Sequence, residues 1–256
     1  MTLLAVKIVI GLVVGTLIGL TGLGGGVLLL PLLIFGLKVP AITAVGSDAL
    51  FNFVTKIPAG FLHFRKGTVK RNVVLALASG SVPGSILGIA FLTYLRSVYG
   101  TGVNDFIKSA VGVLLICIPT LLLFQARIED SVVHRPPTMK SFAGMTLIGL
   151  VAGFLVGMTS VGSGSIIMML LLLFYSFSPK VNVGTDIVHA ILLTGVTSFL
   201  HFRLGNVDPV LVGSLLIGSI PGGLIGSHLS TKVPVLWLRR ILCTVLLATG
   251  ARMLLA

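Results

Sequence analysis

The chain has 256 residues, of which 55% are apolar and only 9% are charged. An ordinary soluble domain is about 25% charged, and a globule of this size with so little charge would aggregate. The composition therefore excludes a soluble enzyme, a disordered chain and a secreted disulfide scaffold. It predicts an all-α polytopic membrane protein that contacts membrane lipids. The net charge of +12 comes from Lys and Arg in short breaks between apolar runs. Cytoplasmic loops have this pattern, so we expect no nucleic-acid partner.

The predicted elements follow one another in two similar series. The first consists of a helix at 3–20, a Gly-rich break at 22–26, a short apolar piece at 27–37, and helices at 41–63, 69–95 and 104–124. The second consists of a helix at 141–158, a break at 160–164, a short piece at 165–177, and helices at 182–201, 207–230 and 235–255.

The two series are related by a shift of 138 residues. Across residues 11–88 the shifted chain matches itself at about 28 of 78 positions, and FLHFRKGTV (61–69) lies on FLHFRLGNV (199–207). Such self-similarity indicates a duplicated unit, which is common in transporters. We therefore predict a first transmembrane repeat at 1–124, a polar linker at 125–140 and a second transmembrane repeat at 141–256.

The two short apolar pieces leave the topology open. A spanning helix needs about 20 residues, so each piece either turns back as a half-helix or crosses with help from the extended break. The first case gives eight spans and parallel repeats; the second gives ten membrane segments and inverted repeats. The loop after His63 holds four basic residues, whereas its counterpart holds Arg203 and Asp208 and is nearly neutral. Since basic loops favour the cytoplasm, this difference favours inverted repeats.

The Gly-rich breaks are the strongest functional signal in the chain. Unwound backbone inside a bilayer must be buried in protein or line a wet cavity, because free N–H and C=O groups are costly in hydrocarbon. A new helix begins after each break, and its first N–H groups carry the positive end of the helix dipole. The breaks therefore predict an anion site, although helix-packing glycines are the alternative. The predicted substrate contacts in the breaks are Thr21, Gly24, Gly25, Gly26, Thr159, Gly162, Ser163 and Gly164.

Ionisable residues also occur at membrane depth. Asp48, Asn52 and Lys56 are spaced by four and share one helix face, and charges inside spans usually face a cavity or one another. Asp186 corresponds to Asp48 in the repeat and lies within one turn of His189, which suits proton binding near neutral pH. We predict proton coupling or gating by Asp48, Lys56, Asp186 and His189, and further substrate contacts by Ser47, Asn52 and Thr185. The alternatives are helix-capping aspartates, a lysine that snorkels to the interface and a structural histidine.

The turn motif His-Phe-Arg-x-Gly occurs twice, at 63–67 and 201–205. An arginine fork suits an oxyanion, so Arg65 and Arg203 complete the predicted substrate contacts. Helix capping at the headgroup level is the alternative.

These motifs resemble the TauE/SafE family of sulfite exporters and related permeases. The resemblance rests on GLTGLGGGVLLLPLLIFGLKVPAITAVGSDAL, followed by KIPAGFLHFRKGTV, and on the second-half sequence MTSVGSGSIIMMLLLLF to FLHFRLGNV. It implies an inner-membrane, multi-pass permease that moves a small sulfur-containing anion such as sulfite, a sulfonate or sulfoacetate. Ser160, Ser163 and Met169 depart from the first copy of the motif, so the two halves are unequal.

We therefore expect a carrier that works by alternating access, with proton coupling as an option. The alternatives are a passive anion channel of the same architecture and a permease for another small organic anion. No nucleophile–base pair or metal-ligand spacing occurs, so we expect neither an enzyme nor a cofactor or metal. The direction of flux and the oligomeric state stay open, with a homodimer as one option.

Overall fold

The computed structural model describes residues 2–21, 26–132, 142–164, 166–168, 179–229 and 235–255. These residues form helices without any strand in the described ranges. The helices are α1 (Thr2–Thr21), α2 (Gly26–Pro31), α3 (Ala41–Arg65), α4 (Arg71–Tyr99), α5 (Val103–Val132), α6 (Phe142–Thr159), α7 (Pro179–Arg203), α8 (Pro209–Leu229) and α9 (Val235–Leu255). A π-helical turn, Leu32–Gly36, continues α2, and a 3-10 turn, Gly100–Gly102, joins α4 to α5. The predicted all-α class is confirmed.

Several of these helices are long and apolar enough to cross a membrane. Within the described ranges, four helical stretches qualify by length and composition: Arg71–Thr120, Phe142–Thr159, Val181–Arg203 and Pro209–Gly226. Leu4–Leu20, Val27–Gly36 and Ile241–Leu255 are shorter apolar helices. Large apolar side chains cover the outside of the bundle; Val210 is 72% exposed and Leu224 is 70% exposed. This exterior suits lipid rather than water, so the chain is a polytopic membrane protein.

The first short apolar piece forms a compact helix of mixed geometry. It runs from Gly26 to Gly36 and changes from α to π geometry after Pro31. Proline supplies no N–H and crowds the preceding turn, which accounts for the local change in the ladder. In the second series only residues 166–168 of the predicted 165–177 piece are described, and they are helical.

The last helix of the first series extends beyond its predicted end at residue 124. Helix α5 continues through Val132, eight residues into the predicted segment 125–140, because Gln125 to Glu129 are mostly good helix formers. Residues 133–141 lie outside the described residues. The division into repeats at this segment stays a prediction.

Glycines allow two pairs of helices to pack backbone to backbone. A Cβ at Gly11 would meet the backbone of Leu215, and one at Gly15 would meet Ser219, so α1 and α8 run parallel. In the same way Gly149, Gly153 and Gly157 of α6 lie on Leu77, Ser81 and Ser85 of α4. These spaced glycines are packing contacts, as in small-residue interfaces of membrane helices.

Two other pairs run antiparallel. Gly46, early in α3, lies against His201 at the end of α7, and Gly184, early in α7, lies against His63 at the end of α3. Between them, Gly60 meets Ile191. Helices α5 and α9 also pack in opposite directions, with Gly112 against Gly250 and Pro119 near Cys243. Because a shift of 138 residues carries α3 to α7 and α5 to α9, corresponding helices lie side by side and antiparallel.

Candidate functional site

Helix α3 carries a polar face through the middle of the bundle. It has 25 residues, about 37 Å at 1.5 Å per residue, against a hydrocarbon core of about 30 Å. Lys56 is three residues past its midpoint, so it lies about 5 Å from the centre. Asp48 and Asn52 are fully buried on the same face. The N-cap of α3 is Pro40, so Asp48 is two turns inside the helix and is not a capping residue.

The second break forms a buried turn between α6 and the next helical segment. Ser160 has φ +57° and Gly162 has φ +97°, so both residues are in the left-handed region, which a glycine adopts without the cost borne by other residues. The helix that follows begins at once, since the N–H of Met168 donates to the carbonyl of Gly164 at 3.1 Å. Within the turn itself, the N–H of Val161 donates to Oγ1 of Thr159 at 3.3 Å.

This turn meets the polar face of α3 through two side-chain contacts. The hydroxyl of Ser160 donates to Oδ2 of Asp48 at 2.7 Å. The ammonium of Lys56 donates to Oγ of Ser163 at 3.1 Å. The amide of Asn52 donates to the same Asp48 oxygen at 2.9 Å. The lysine therefore points inward to the break and does not snorkel to the interface.

Helix α7 adds acidic and imidazole groups to the same region. Asp186 and Asp48 are the electrostatic neighbours of Lys56. His189 is fully buried, and its Nε2 lies 2.8 Å from the hydroxyl of Ser81 on α4. Among the described residues Asp186 and His189 make no hydrogen bond with each other, so their predicted proton pair is not formed directly. We call Asp48, Asn52, Lys56, Ser160, Ser163, Asp186 and His189 the polar centre.

Several side-chain atoms in and beside the polar centre are buried without a hydrogen-bond partner in the described structure. Unpaired buried polar atoms are rare in native proteins and mark places with a special role. These atoms are Oδ1 of Asp48, Oδ1 of Asn52, both amide atoms of Asn182, Oδ1 of Asp186 and Nδ1 of His189.

Ser47 and Thr185 have a different surrounding from the one the sequence suggested. Oγ of Ser47 accepts the N–H of Asp208 at 3.0 Å, and Oγ1 of Thr185 accepts the N–H of Lys70 at 3.1 Å. Ser47 therefore accepts from the backbone N–H just before α8 begins, and Thr185 accepts from the backbone N–H just before α4 begins. We call these two contacts the loop locks. A substrate role for either hydroxyl stays a prediction.

The other predicted substrate contacts lie in several places. The hydroxyl of Thr159 donates to the carbonyl of Leu155 and accepts the N–H of Val161, so it belongs to the helix end. Arg65 is exposed, and its guanidinium lies 4.7 Å from the ring centroid of Phe61. Arg203 is also exposed. Both arginines are at helix ends, about 18 Å from the helix midpoints, so the structure does not bring them to the polar centre.

The first break is largely outside the description. Gly24, Gly25 and the side chain of Thr21 lie outside the described part of the chain. Gly26 begins α2. Binding by this break therefore stays a prediction.

Two members of the site had little or no signal in the sequence. Ser81 is one hydroxyl among many in α4, and only tertiary packing brings it to His189. Ser160 lies in the predicted break, yet its contact with Asp48 spans 112 positions. Its departure from the glycine of the first copy was the available signal.

The comparisons agree with this architecture. The profile of the family described as "Sulfite exporter TauE/SafE" matches residues 7–253. "Probable membrane transporter protein YjnA" of Bacillus subtilis (strain 168) is 38% identical over 251 residues, covering 96% of this chain and 98% of that protein. "Probable membrane transporter protein YunE" of the same organism is 26% identical, with 97% and 96% covered. "Probable membrane transporter protein MJ0441" of Methanocaldococcus jannaschii is 26% identical, with 99% and 96% covered. No solved structure matches the chain.

Proposed function

Because the chain belongs to the sulfite exporter TauE/SafE family, we propose that it is a secondary transporter for a small sulfur-containing oxyanion such as sulfite or a sulfonate. The family and the names of its relatives indicate a multi-pass membrane transporter rather than an enzyme. The substrate class, the inner-membrane location and the mechanism are parts of the proposal.

The contact between Lys56 and Ser163 is the observation that carries the substrate class. An ammonium has three N–H donors, and one of them is directed to Oγ of Ser163 at 3.1 Å. Ser163 lies in the turn directly before a helical segment, and the first N–H groups of a helix favour a negative charge nearby. A compact oxyanion accepts hydrogen bonds from several directions, so it suits this combination of donors.

The antiparallel packing of corresponding helices supports alternating access. If the two series are inverted repeats, the corresponding ends of α3 and α7 face opposite sides of the membrane. Lys56 then lies close to the middle of the bilayer. Transporters built from inverted repeats bind substrate near the midplane and rock one repeat against the other. The two loop locks occupy opposite ends of the α3–α7 pair, which suits a gate at each face.

Uptake into proteoliposomes tests this function. We expect saturable uptake of radiolabelled sulfite above the level of protein-free liposomes, with competition by methanesulfonate and weak competition by acetate. Lys56→Gln should abolish uptake, whereas Lys66→Gln should retain it because Lys66 is exposed in the loop after α3. The proposal would be overturned if proteoliposomes took up no sulfur oxyanion faster than protein-free liposomes do. Flux that rises without saturation would identify a channel instead.

A further inference from the structure

Asp48 has an unusual set of partners for a carboxylate at membrane depth. Asp48 is fully buried, and its Oδ2 accepts hydrogen bonds from Ser160 and Asn52. Its Oδ1 has no partner within the described part of the chain, and neither does Oδ1 of Asn52. Neutral donors thus serve one carboxylate oxygen, while two buried acceptor oxygens have unused lone pairs.

No positive side chain in the described structure neutralises this carboxylate by direct contact. The ammonium of Lys56 is directed to Ser163, and the ion pair found within 4.0 Å among the described residues, Lys108 with Asp105, lies elsewhere. A buried charge is strongly unfavourable unless it is paired or coordinates a cation. Direct compensation of this carboxylate therefore calls for a positive group in contact with Asp48, which the described residues do not supply.

We propose that Asp48 and Asn52 form a binding site for a monovalent cation, either a proton or a sodium ion, that couples to the anion; this inference rests on the proposed transport function. One carboxylate with a neutral amide balances a single positive charge. Divalent cations such as Ca²⁺ take six to eight oxygen ligands, typically with several carboxylates, and the described residues contain no group of three His, Cys, Asp or Glu suited to a metal.

The second copy of the repeat has no equivalent of this site. Asp186 corresponds to Asp48, but Ala190 stands where Asn52 does and Gly22 stands where Ser160 does. The second copy therefore lacks both the amide and the hydroxyl that fix the Asp48 carboxylate. The control for Asp48 is Asp105, an exposed carboxylate outside the polar centre.

The turn 160–164 links the cation site to the anion site. Its Ser160 donates to Asp48 and its Ser163 accepts from Lys56. Because only three residues separate the two serines, a displacement of one contact shifts the other. Lys56 on the same helix is the charged neighbour of Asp48, and Asp186 and His189 on α7 lie near that lysine. The imidazole-bearing His201, fully buried on α7, packs against Gly46, two residues before Asp48. The turn contributes the hydroxyl of Ser160.

The charges of the polar centre give the direction of the coupling. With Lys56 and both aspartates ionised, the centre has one net negative charge and repels an anion. A cation at Asp48 removes that charge, so cation and anion should each raise the affinity for the other by the same factor.

Two measurements on the full-length purified protein test the site. The first is thermal stability without any organic anion, at fixed pH with sodium chloride or choline chloride and at two pH values without sodium. The second is the dissociation constant of methanesulfonate, which stays ionised across this range, under the same conditions. We expect the melting temperature to rise with one of the two cations, and the affinity for methanesulfonate to rise at least about fivefold with the same cation.

The variants assign the effect to Asp48. Asp48→Asn should lose both responses, and Asn52→Ala should weaken them while retaining the carboxylate. Asp105→Asn should keep them, because Asp105 is an exposed carboxylate outside the polar centre. A response to sodium at constant pH identifies the sodium ion, and a response to pH alone identifies the proton. The inference is overturned if the wild-type protein responds to neither cation, if Asp48→Asn and Asn52→Ala keep full responses, or if Asp105→Asn loses them equally. Stabilisation by a cation without methanesulfonate binding would retain the cation site and contradict the proposed substrate class.

Discussion

Lys56 is the residue at which the two halves of the chain meet near the middle of the bundle. Its stem starts on α3 and its ammonium ends on Ser163, 107 positions away. The corresponding residue of the second half is Thr194, whose hydroxyl donates to the carbonyl of Ala190 in its own helix. Among the described residues, the polar centre therefore has one lysine, and this fits a site for one small anion better than two equivalent sites.

The loop locks give a stability prediction for single hydroxyls. Ser47→Ala and Thr185→Ala each remove the acceptor of a backbone N–H near the start of a long helix. We expect each change to lower the free energy of unfolding by about 1 kcal/mol, measured by titration with sodium dodecyl sulfate. Thr249→Ala is the control, because its exposed hydroxyl serves a carbonyl of its own helix. Equal stability of the Ser47 variant and this control would contradict the assignment.

The residues of the polar centre were only partly predictable from sequence. The four-residue spacing puts Asp48, Asn52 and Lys56 on one face of a helix whatever that helix packs against. Helical periodicity was therefore enough to group these three residues. The contacts of Ser160 and Ser163 depend on the path of the second break through the bundle, which local spacing does not determine. Arg65 looked like an anion ligand because its side chain suits one, yet the end of α3 places it about 18 Å from the helix midpoint.

At the scale of helices, small residues decide which elements are neighbours. The parallel pair α4–α6 closes because Gly149, Gly153 and Gly157 let backbone meet backbone. The four-residue spacing of these glycines is typical of close helix packing, but it does not identify α4 as the partner. Partner choice depends on complementary surfaces of both helices, which a single helical stretch does not contain.

A matched pair of glycine substitutions tests this interface. Gly153→Ala inserts a methyl group against the backbone of Ser81, whereas a Cβ at Gly213 on α8 meets nothing within 4 Å. We expect Gly153→Ala to cost about 1–3 kcal/mol of unfolding free energy through overpacking. Gly213→Ala should be neutral or stabilising by up to about 1 kcal/mol. Thermal unfolding in detergent compares the two, and equal melting temperatures would show that α4 and α6 separate without cost.

At the scale of the whole molecule, the packing of corresponding helices predicts the orientation of the halves. The sequence left parallel and inverted repeats open, because charge bias in loops is a weak discriminator. The antiparallel packing of α3 against α7 is evidence on orientation that the charges of the loops do not give. It supports an arrangement in which the loops after these two helices lie on opposite faces of the membrane.

Cysteine labelling tests this orientation in cells. In a background with Cys117 and Cys243 changed to Ala, we would introduce Lys66→Cys and Leu204→Cys separately, since both positions are exposed in loops. We expect a membrane-impermeant maleimide to label Leu204→Cys from outside and Lys66→Cys only after permeabilisation, because the more basic loop faces the cytoplasm. Labelling of both positions from the same side would contradict inverted halves.

The most direct measurement for the whole account is calorimetric titration of the purified protein with sulfite and methanesulfonate. Charge-assisted hydrogen bonds contribute about 1.5–3 kcal/mol. We therefore expect the wild-type protein and Lys66→Gln to bind at least one of the two anions saturably, and Lys56→Gln to bind it roughly 10- to 150-fold more weakly. Undiminished binding by Lys56→Gln, or no binding by the wild-type protein, would contradict an oxyanion site between Lys56 and the second break.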